Sequence, residues 1–216
     1  MQAWARMAQE NHLLLGGGSI PEVDEAGKVY NTSFVFDSQG RQVARHRKMQ
    51  LLNNDVKGGQ SFRESATFTP GNEVTVFETP WCKMGLCICF DFRFPELARL
   101  MVLQGAKVLV VPAAFNMTTG PAHWELMFRQ RAVDGQCYTV GVAPARDEKG
   151  CYVSYGNSMV VSPWGDVVWR ADEKPQVHVV EVDLDRVEEV RQQLPLLSAR
   201  RTDVYTVAQK QPKGPF

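Results

Sequence analysis

The chain has no net charge, no long apolar run and no metal-ligand pattern, and each absence removes a class of function. It carries 24 Lys and Arg against 24 Asp and Glu over 216 residues. That balance provides neither a basic surface for nucleic acid nor an acidic tail for a basic partner. No segment stays apolar for the length of a membrane span. Residues 1–15 lack the basic start and apolar run of a signal peptide, so a cytoplasmic location is the expectation. The five cysteines are Cys82, Cys87, Cys89, Cys137 and Cys151. An odd number in a chain of this size argues against a secreted disulfide framework. One residue separates Cys87 from Cys89, where a redox pair or zinc knuckle has two, and no second Cys/His pair follows at ligand spacing. His12, His46, His123 and His178 form neither HExxH nor HxH. No metal and no cofactor are therefore expected. Gly16-Gly17-Gly18-Ser19 lacks the GxxxxGK[ST] order of a phosphate cradle and reads as a tight exit from a strand over residues 13–15.

What remains is an ordinary globular composition, with enough chain for one substantial core. No repeat or linker divides it. The expected organisation is one domain over residues 1–208 and a polar, proline-containing tail over 209–216. Residues 2–11 read as a helix with Ala3, Trp4, Met7 and Ala8 on one face. Residues 29–36 and 41–48 read as strands around a hairpin turn at 37–40. Residues 53–72 form a long polar, glycine-rich loop of the kind found over active sites. Further strands are expected at 74–77, 84–88, 108–111, 138–142, 158–161 and 167–169, with 178–182 as the last sheet strand. The helix pattern through Trp124, Met127, Phe128 and Ala132 covers 123–133, and another helix starts at 183 and ends before Pro195. This order of elements predicts a layered α/β protein.

One segment carries chemistry. Residues 84–88 end a buried strand, Cys89 follows, and Pro95 occupies a first helical turn, where the missing N–H costs nothing. Cys89 thus sits at a strand-to-helix elbow. Such an elbow exposes a nucleophile and aims the next backbone N–H groups at a developing oxyanion. Asp91, Arg93 and Glu96 read as a structural ion-pair network at this elbow.

The run Cys-Phe-Asp-Phe-Arg-Phe-Pro-Glu-Leu at 89–97 resembles the nucleophile motif of the nitrilase superfamily of carbon–nitrogen hydrolases. His46-Arg47-Lys48-Met49 resembles that family's catalytic-lysine motif. Phe62-Arg63-Glu64-Ser65, with Phe68-Thr69-Pro70-Gly71, resembles the segment of a second active-site glutamate. The segments at 114–125, 143–147, 191–195 and 200–205 look closest to the omega-amidase branch. The resemblance covers about residues 5–205, and several motifs in order at matching spacing make it specific.

The resemblance implies a four-layer α-β-β-α sandwich with two mixed sheets and the first strand or strands missing. It implies a Glu-Lys-Cys triad whose glutamate lies on a loop ahead of Met1. A strand–helix unit of roughly 30 residues or more is therefore expected upstream. Glu10, at the end of a helix, reads as a surface charge. Cys89 is then the nucleophile and Lys48 the cation that activates it and holds the oxyanion with the backbone N–H of Phe90. Glu64 orients Lys48 or shuttles a proton. Phe115, Asn116 and Thr118 are expected at the substrate, and His123 caps or packs its helix. The activity implied is hydrolysis of the terminal amide of a short dicarboxylic monoamide, such as 2-oxoglutaramate or succinamate, through a thioester. Two alternatives stand beside it: a catalytically silent chain lacking the triad glutamate, and an amidase for deaminated glutathione or carbamoyl amino acids. A small-molecule amide and a second copy in a homodimer are the expected partners.

Overall fold

The structure is a computed structural model that describes residues 1–55 and 61–210. Helix α1 (Gln2–Glu10) leads into strand β1 (Leu15–Val23), which pairs antiparallel with β2 (Val29–Phe36). β2 pairs in turn with β3 (Gln42–Arg47), which completes a three-stranded antiparallel sheet. The turn between β2 and β3 is set locally. Asp37 Oδ1 accepts the N–H groups of Gln39 and Arg41, and Gly40 takes φ +74°, a left-handed conformation that costs glycine little.

Two short strands, β4 (Asn53–Asn54) and β5 (Phe62–Arg63), pair with each other, and a 3-10 turn over Glu64–Ala66 follows. The loop expected at 53–72 therefore has structure where it is described; residues 56–60 lie outside the described residues. A second sheet is built from β6 (Thr75–Glu78), β7 (Lys83–Leu86), β8 (Val108–Pro112), β9 (Tyr138–Val142), β10 (Met159–Val161) and β11 (Val167–Arg170). Its six strands lie in the order β11-β10-β9-β8-β7-β6. β7, β8 and β9 run parallel and the outer pairs antiparallel, so this sheet is mixed. Helices α2 (Pro95–Leu103) and α3 (Gly120–Gly135) connect its parallel strands, and α4 (Asp185–Gln193) comes last.

Alternation along the strands builds the layers. Cys87, Leu109 and Val111 face outward into the main core with Leu97 and Met101 of α2 and Trp124 and Phe128 of α3. Leu86 and Phe77 face inward against Val35 and Ala44 of the three-stranded sheet. On the far side of that sheet, Trp4, Ala5 and Ala8 of α1 cover Phe34 and Phe36. The result is helix, sheet, sheet, helix, the layering the motifs imply.

Three local expectations are corrected. The buried stripe of α1 is Trp4, Ala5 and Ala8; Ala3 and Met7 are exposed. The triple glycine does not end a strand but lies inside β1, where the pairing register shifts between Gly16 and Ser19. One packing contact joins the two. The Trp4 ring lies on Gly17 so closely that an added Cβ would fall 2.3 Å from it. The third correction concerns residues 178–182, which join no sheet. β11 already ends the six-stranded sheet, and Val180 and Val182 instead pack on Val108, Tyr138, Val160 and Val187. Their neighbours Val177 and Val179 stay exposed.

Candidate active site

Each site residue is placed by the end of a regular element. Cys89 opens a 3-10 turn, Cys89–Arg93, between β7 and α2. Its φ is +48°, a strained value for a residue with a side chain, and it turns the thiol out of the strand line. Lys48 directly follows β3. Its N–H donates to Asn31 O and its carbonyl accepts from Gly71 N, so the backbone is fixed on both sides. Glu64 starts the turn after β5, held there by its N–H on Leu52 O.

These three side chains converge on one cavity of about 710 Å³. Lys48 is buried, and its Nζ donates to both Glu64 oxygens at 2.8 and 2.6 Å. Glu64 Oε2 also accepts the Leu52 N–H at 2.6 Å. Glu64 is the only carboxylate among the described residues lining this cavity. Burial pushes the Cys89 thiol up from its ordinary pKa, with the Lys48 ammonium opposing and the Glu64 carboxylate adding to the rise. Sequence reasoning alone, with Lys48 as the neighbour, implied a lowered value; the low-dielectric surroundings of the elbow outweigh the cation. The Cys89 thiol at rest therefore holds its proton and needs an acceptor during attack.

A second cavity, of about 240 Å³, adjoins the first at Cys89. Phe115 and Asn116 line it, as does Thr119. Phe115 is buried edge-on against Trp124. Asn116 Oδ1 accepts the N–H groups of Thr118 and Thr119. That Asx turn reverses the chain, leaving Thr118 exposed and off the cavity lining, with Thr119 there instead. Phe90 is half-buried beside Phe94. Its N–H falls in the first positions of the 3-10 turn, where the turn supplies no acceptor.

The expected network of Asp91, Arg93 and Glu96 does not form among the described residues. Asp91 is buried against His46. Glu96 is exposed in the first turn of α2, where an acid suits the helix dipole. Arg93 reaches His123 Nδ1 at 3.1 Å, and its guanidinium lies 4.7 Å from the Phe115 ring centre. His123 thus neither caps nor simply packs. Arg93 and His123 are the cationic and imidazole groups of the second cavity, and no ion pair joins Arg93 to an acid among the described residues. Glu10 is exposed at the end of α1.

Tyr152 was not foreseen. It lies between the two cavities and lines both. Its hydroxyl donates to Ala114 O at 2.5 Å, the same carbonyl that Cys89 Sγ approaches at 3.9 Å. Burial and the neighbouring Cys89 and Glu64 push its pKa up, so the hydroxyl stays a donor. Its segment has no regular periodicity, and only tertiary folding brings it to Cys89. Among the described residues, no three His, Cys, Asp or Glu side chains gather as a metal-binding group, and no helix is long and apolar enough to cross a membrane.

Comparison with known proteins agrees with this arrangement. The carbon-nitrogen hydrolase family model matches residues 1–192. The chain is 48% identical to mouse omega-amidase NIT2 over 211 residues, which covers 98% of this chain and 76% of that protein. It is 47% identical to the human omega-amidase NIT2 with the same coverage. The crystal structure of Saccharomyces cerevisiae Nit3, a member of branch 10 of the nitrilase superfamily, superposes with a TM-score of 0.84 at 41% identity. That match covers 91% of this chain and 69% of the yeast protein. With its layered sheets and cysteine elbow, the chain belongs to the carbon–nitrogen hydrolase family of the nitrilase superfamily, as an amidase-type hydrolase.

Proposed function

We propose that the chain hydrolyses the terminal amide of short dicarboxylic monoamides of the 2-oxoglutaramate and succinamate type. The observation that carries this reading is the convergence of Cys89, Lys48 and Glu64 on one cavity. Cys89 Sγ attacks the amide carbonyl carbon. The Lys48 ammonium and the Phe90 N–H hold the oxyanion. Collapse expels ammonia, which carries away the thiol proton, and leaves a thioester. Water then attacks the thioester carbon, releasing the dicarboxylic acid and restoring the thiol. Glu64 holds Lys48 in place and is the carboxylate positioned to relay protons in both halves.

Arg93 supports the choice of a charged substrate. It is a half-buried cation that lines the second cavity beside Cys89, its guanidinium held by His123 and the Phe115 ring. A carboxylate one short chain from the amide would meet it there, with a charge-assisted hydrogen bond. The likeness to mouse and human omega-amidases points the same way.

The test is ammonia release from succinamate, butyramide, deaminated glutathione and a carbamoyl amino acid. Higher kcat/KM for succinamate than for butyramide is expected, and Arg93→Met should remove that preference while sparing butyramide. Equal rates on the charged and neutral amides would overturn the substrate assignment. A second reading is a chain that binds amides without turnover. It is favoured by one contact: the cavity's carboxylate has both oxygens engaged by Lys48. Absence of ammonia release from every amide, with the fold intact, would select it.

A further inference from the structure

Cys89 follows a strand of the six-stranded sheet, whereas Lys48 follows a strand of the three-stranded sheet. Their separation therefore depends on how two sheets sit on each other, and apolar contacts such as Val35 against Leu86 do not fix that to a fraction of an ångström. A polar group that spans the sheets can.

Asp91 is fully buried, and both of its oxygens are used. Oδ1 accepts the N–H groups of Met49 at 3.1 Å and Gln50 at 2.7 Å, the two residues after Lys48. Oδ2 accepts the N–H of Ile88 at 3.1 Å, the residue before Cys89. The same oxygen meets His46 Nε2 at 2.9 Å, from β3 two residues before Lys48. His46 is itself fully buried, and its Nδ1 lies 2.9 Å from Thr75 Oγ1 on β6. An ionised carboxylate only accepts, so an Nε2–H of His46 donates toward Asp91 Oδ2, while Thr75 Oγ1, which also donates to Arg45 O at 3.4 Å, stands within hydrogen-bond reach of Nδ1. The chain of contacts runs from β6 through His46 to Asp91, and from Asp91 to the backbone just after Lys48 and just before Cys89.

We propose that Asp91, held by His46, is a positioning residue that fixes the Lys48 ammonium relative to the Cys89 thiol across the sheet interface. The inference rests on Cys89 and Lys48 being the reacting pair. Neither Asp91 nor His46 lines the cavities at Cys89, so neither touches the substrate and both act through the groups they hold. Hydrogen bonds to charged groups in a buried network are stiff, and small misplacements of reacting groups carry large rate penalties.

The experiment compares His46→Leu, His46→Gln, Thr75→Val and Lys48→Met in the full chain. Three quantities are read: kcat and KM for succinamate, the pH profile of Cys89 alkylation by iodoacetamide, and thermal midpoint. His46→Leu is expected to lower kcat by about 10–100-fold with KM little changed. Its alkylation profile should move to higher pH, because the ammonium that opposes the rise in thiol pKa is no longer held in place. His46→Gln, which can still donate to Asp91, should recover most of both. Thr75→Val, a milder cut in the same chain, should move both readouts slightly in the same direction. A lower thermal midpoint with kcat and alkylation profile unchanged would make the pair merely structural and overturn the proposal. If His46→Leu does not fold, wild-type values for Thr75→Val would overturn it instead. If Lys48→Met leaves the alkylation profile where it was, the underlying reading of the reacting pair fails. A shift for Lys48→Met without one for His46→Leu rejects the positioning role alone.

Discussion

Lys48→Met separates the lysine's two tasks, because the substitution keeps the unbranched stem of the side chain and removes its charged end. In the native site the ammonium is 2% exposed and sits 2.6 Å from a Glu64 oxygen. Breaking a fully buried ion pair costs about 3–5 kcal/mol, because the remaining charge is stranded. Glu64 is only partly in that position. It keeps the Leu52 N–H, and at 20% side-chain exposure water reaches it. The methionine also escapes the cost of burying an ammonium. The expected loss of stability is therefore about 1–3 kcal/mol, the range for one stranded hydrogen-bonding partner. The kinetic loss is larger. An oxyanion donor is worth about 10²–10³ in kcat. Urea unfolding followed by fluorescence gives the first number, and ammonia release from succinamate gives the second. Arg47→Ala is the control. Arg47 pairs with Glu22 at 2.8 Å and lies over the Tyr30 ring, on the surface side of the same strand. Its two hydrogen bonds to Glu22 are part-buried, so its loss should cost about 1–3 kcal/mol, yet kcat should stay within about twofold because Arg47 lines neither cavity at Cys89. A Lys48→Met enzyme whose kcat stayed within tenfold of wild type, or which matched Arg47→Ala in both assays, would refute the role assigned to the ammonium.

Gly17→Ala should lose about 1–3 kcal/mol through overpacking, since its Cβ would meet the Trp4 ring at 2.3–2.6 Å. Trp4→Leu in that background should restore part of the loss, and no restoration would mean the clash is elsewhere. Alkaline pH should destabilise the fold through its buried thiols. Burial raises Cys137 from 9.0 to about 12, and Cys87 moves in the same direction. The unfolded chain therefore gives up these protons first. The stabilisation is complete below about pH 9 and is lost as pH rises toward 12, up to about 4 kcal/mol for Cys137. Urea midpoints at pH 8 and about pH 10.5 should differ more for the native chain than for Cys137→Ala; equal differences would refute the assignment.

Elements whose causes are local could be read from the chain alone. The Asp37–Gly40 turn, the proline that opens α2 and the continuous apolar run of β8 each follow from residues adjacent in the chain. The elbow at Cys89 was legible for the same reason: strand, cysteine, short turn and helix are contiguous. Lys48 and Glu64 were legible only through motif resemblance, because nothing in their own neighbourhoods distinguishes a site lysine from a surface one. Tertiary structure decided what depends on partners distant in the chain. Residues 178–182 have the β-branched content of a strand, yet a strand also needs a neighbour for its backbone groups, and the sheet ends at β11. Gly17 is explained by Trp4 lying on it, a contact between two elements, and Gly18 by its left-handed φ of +76°. Thr118 lost its place at the cavity to Thr119 because one Asn116 side chain turns the chain. The thiol of Cys89 has a raised pKa because burial is a property of the whole packed molecule, whereas the favourable charge of Lys48 could be read from a motif. Asp91 and His46 meet only where two sheets do, and a contact between residues 45 positions apart is created by folding alone.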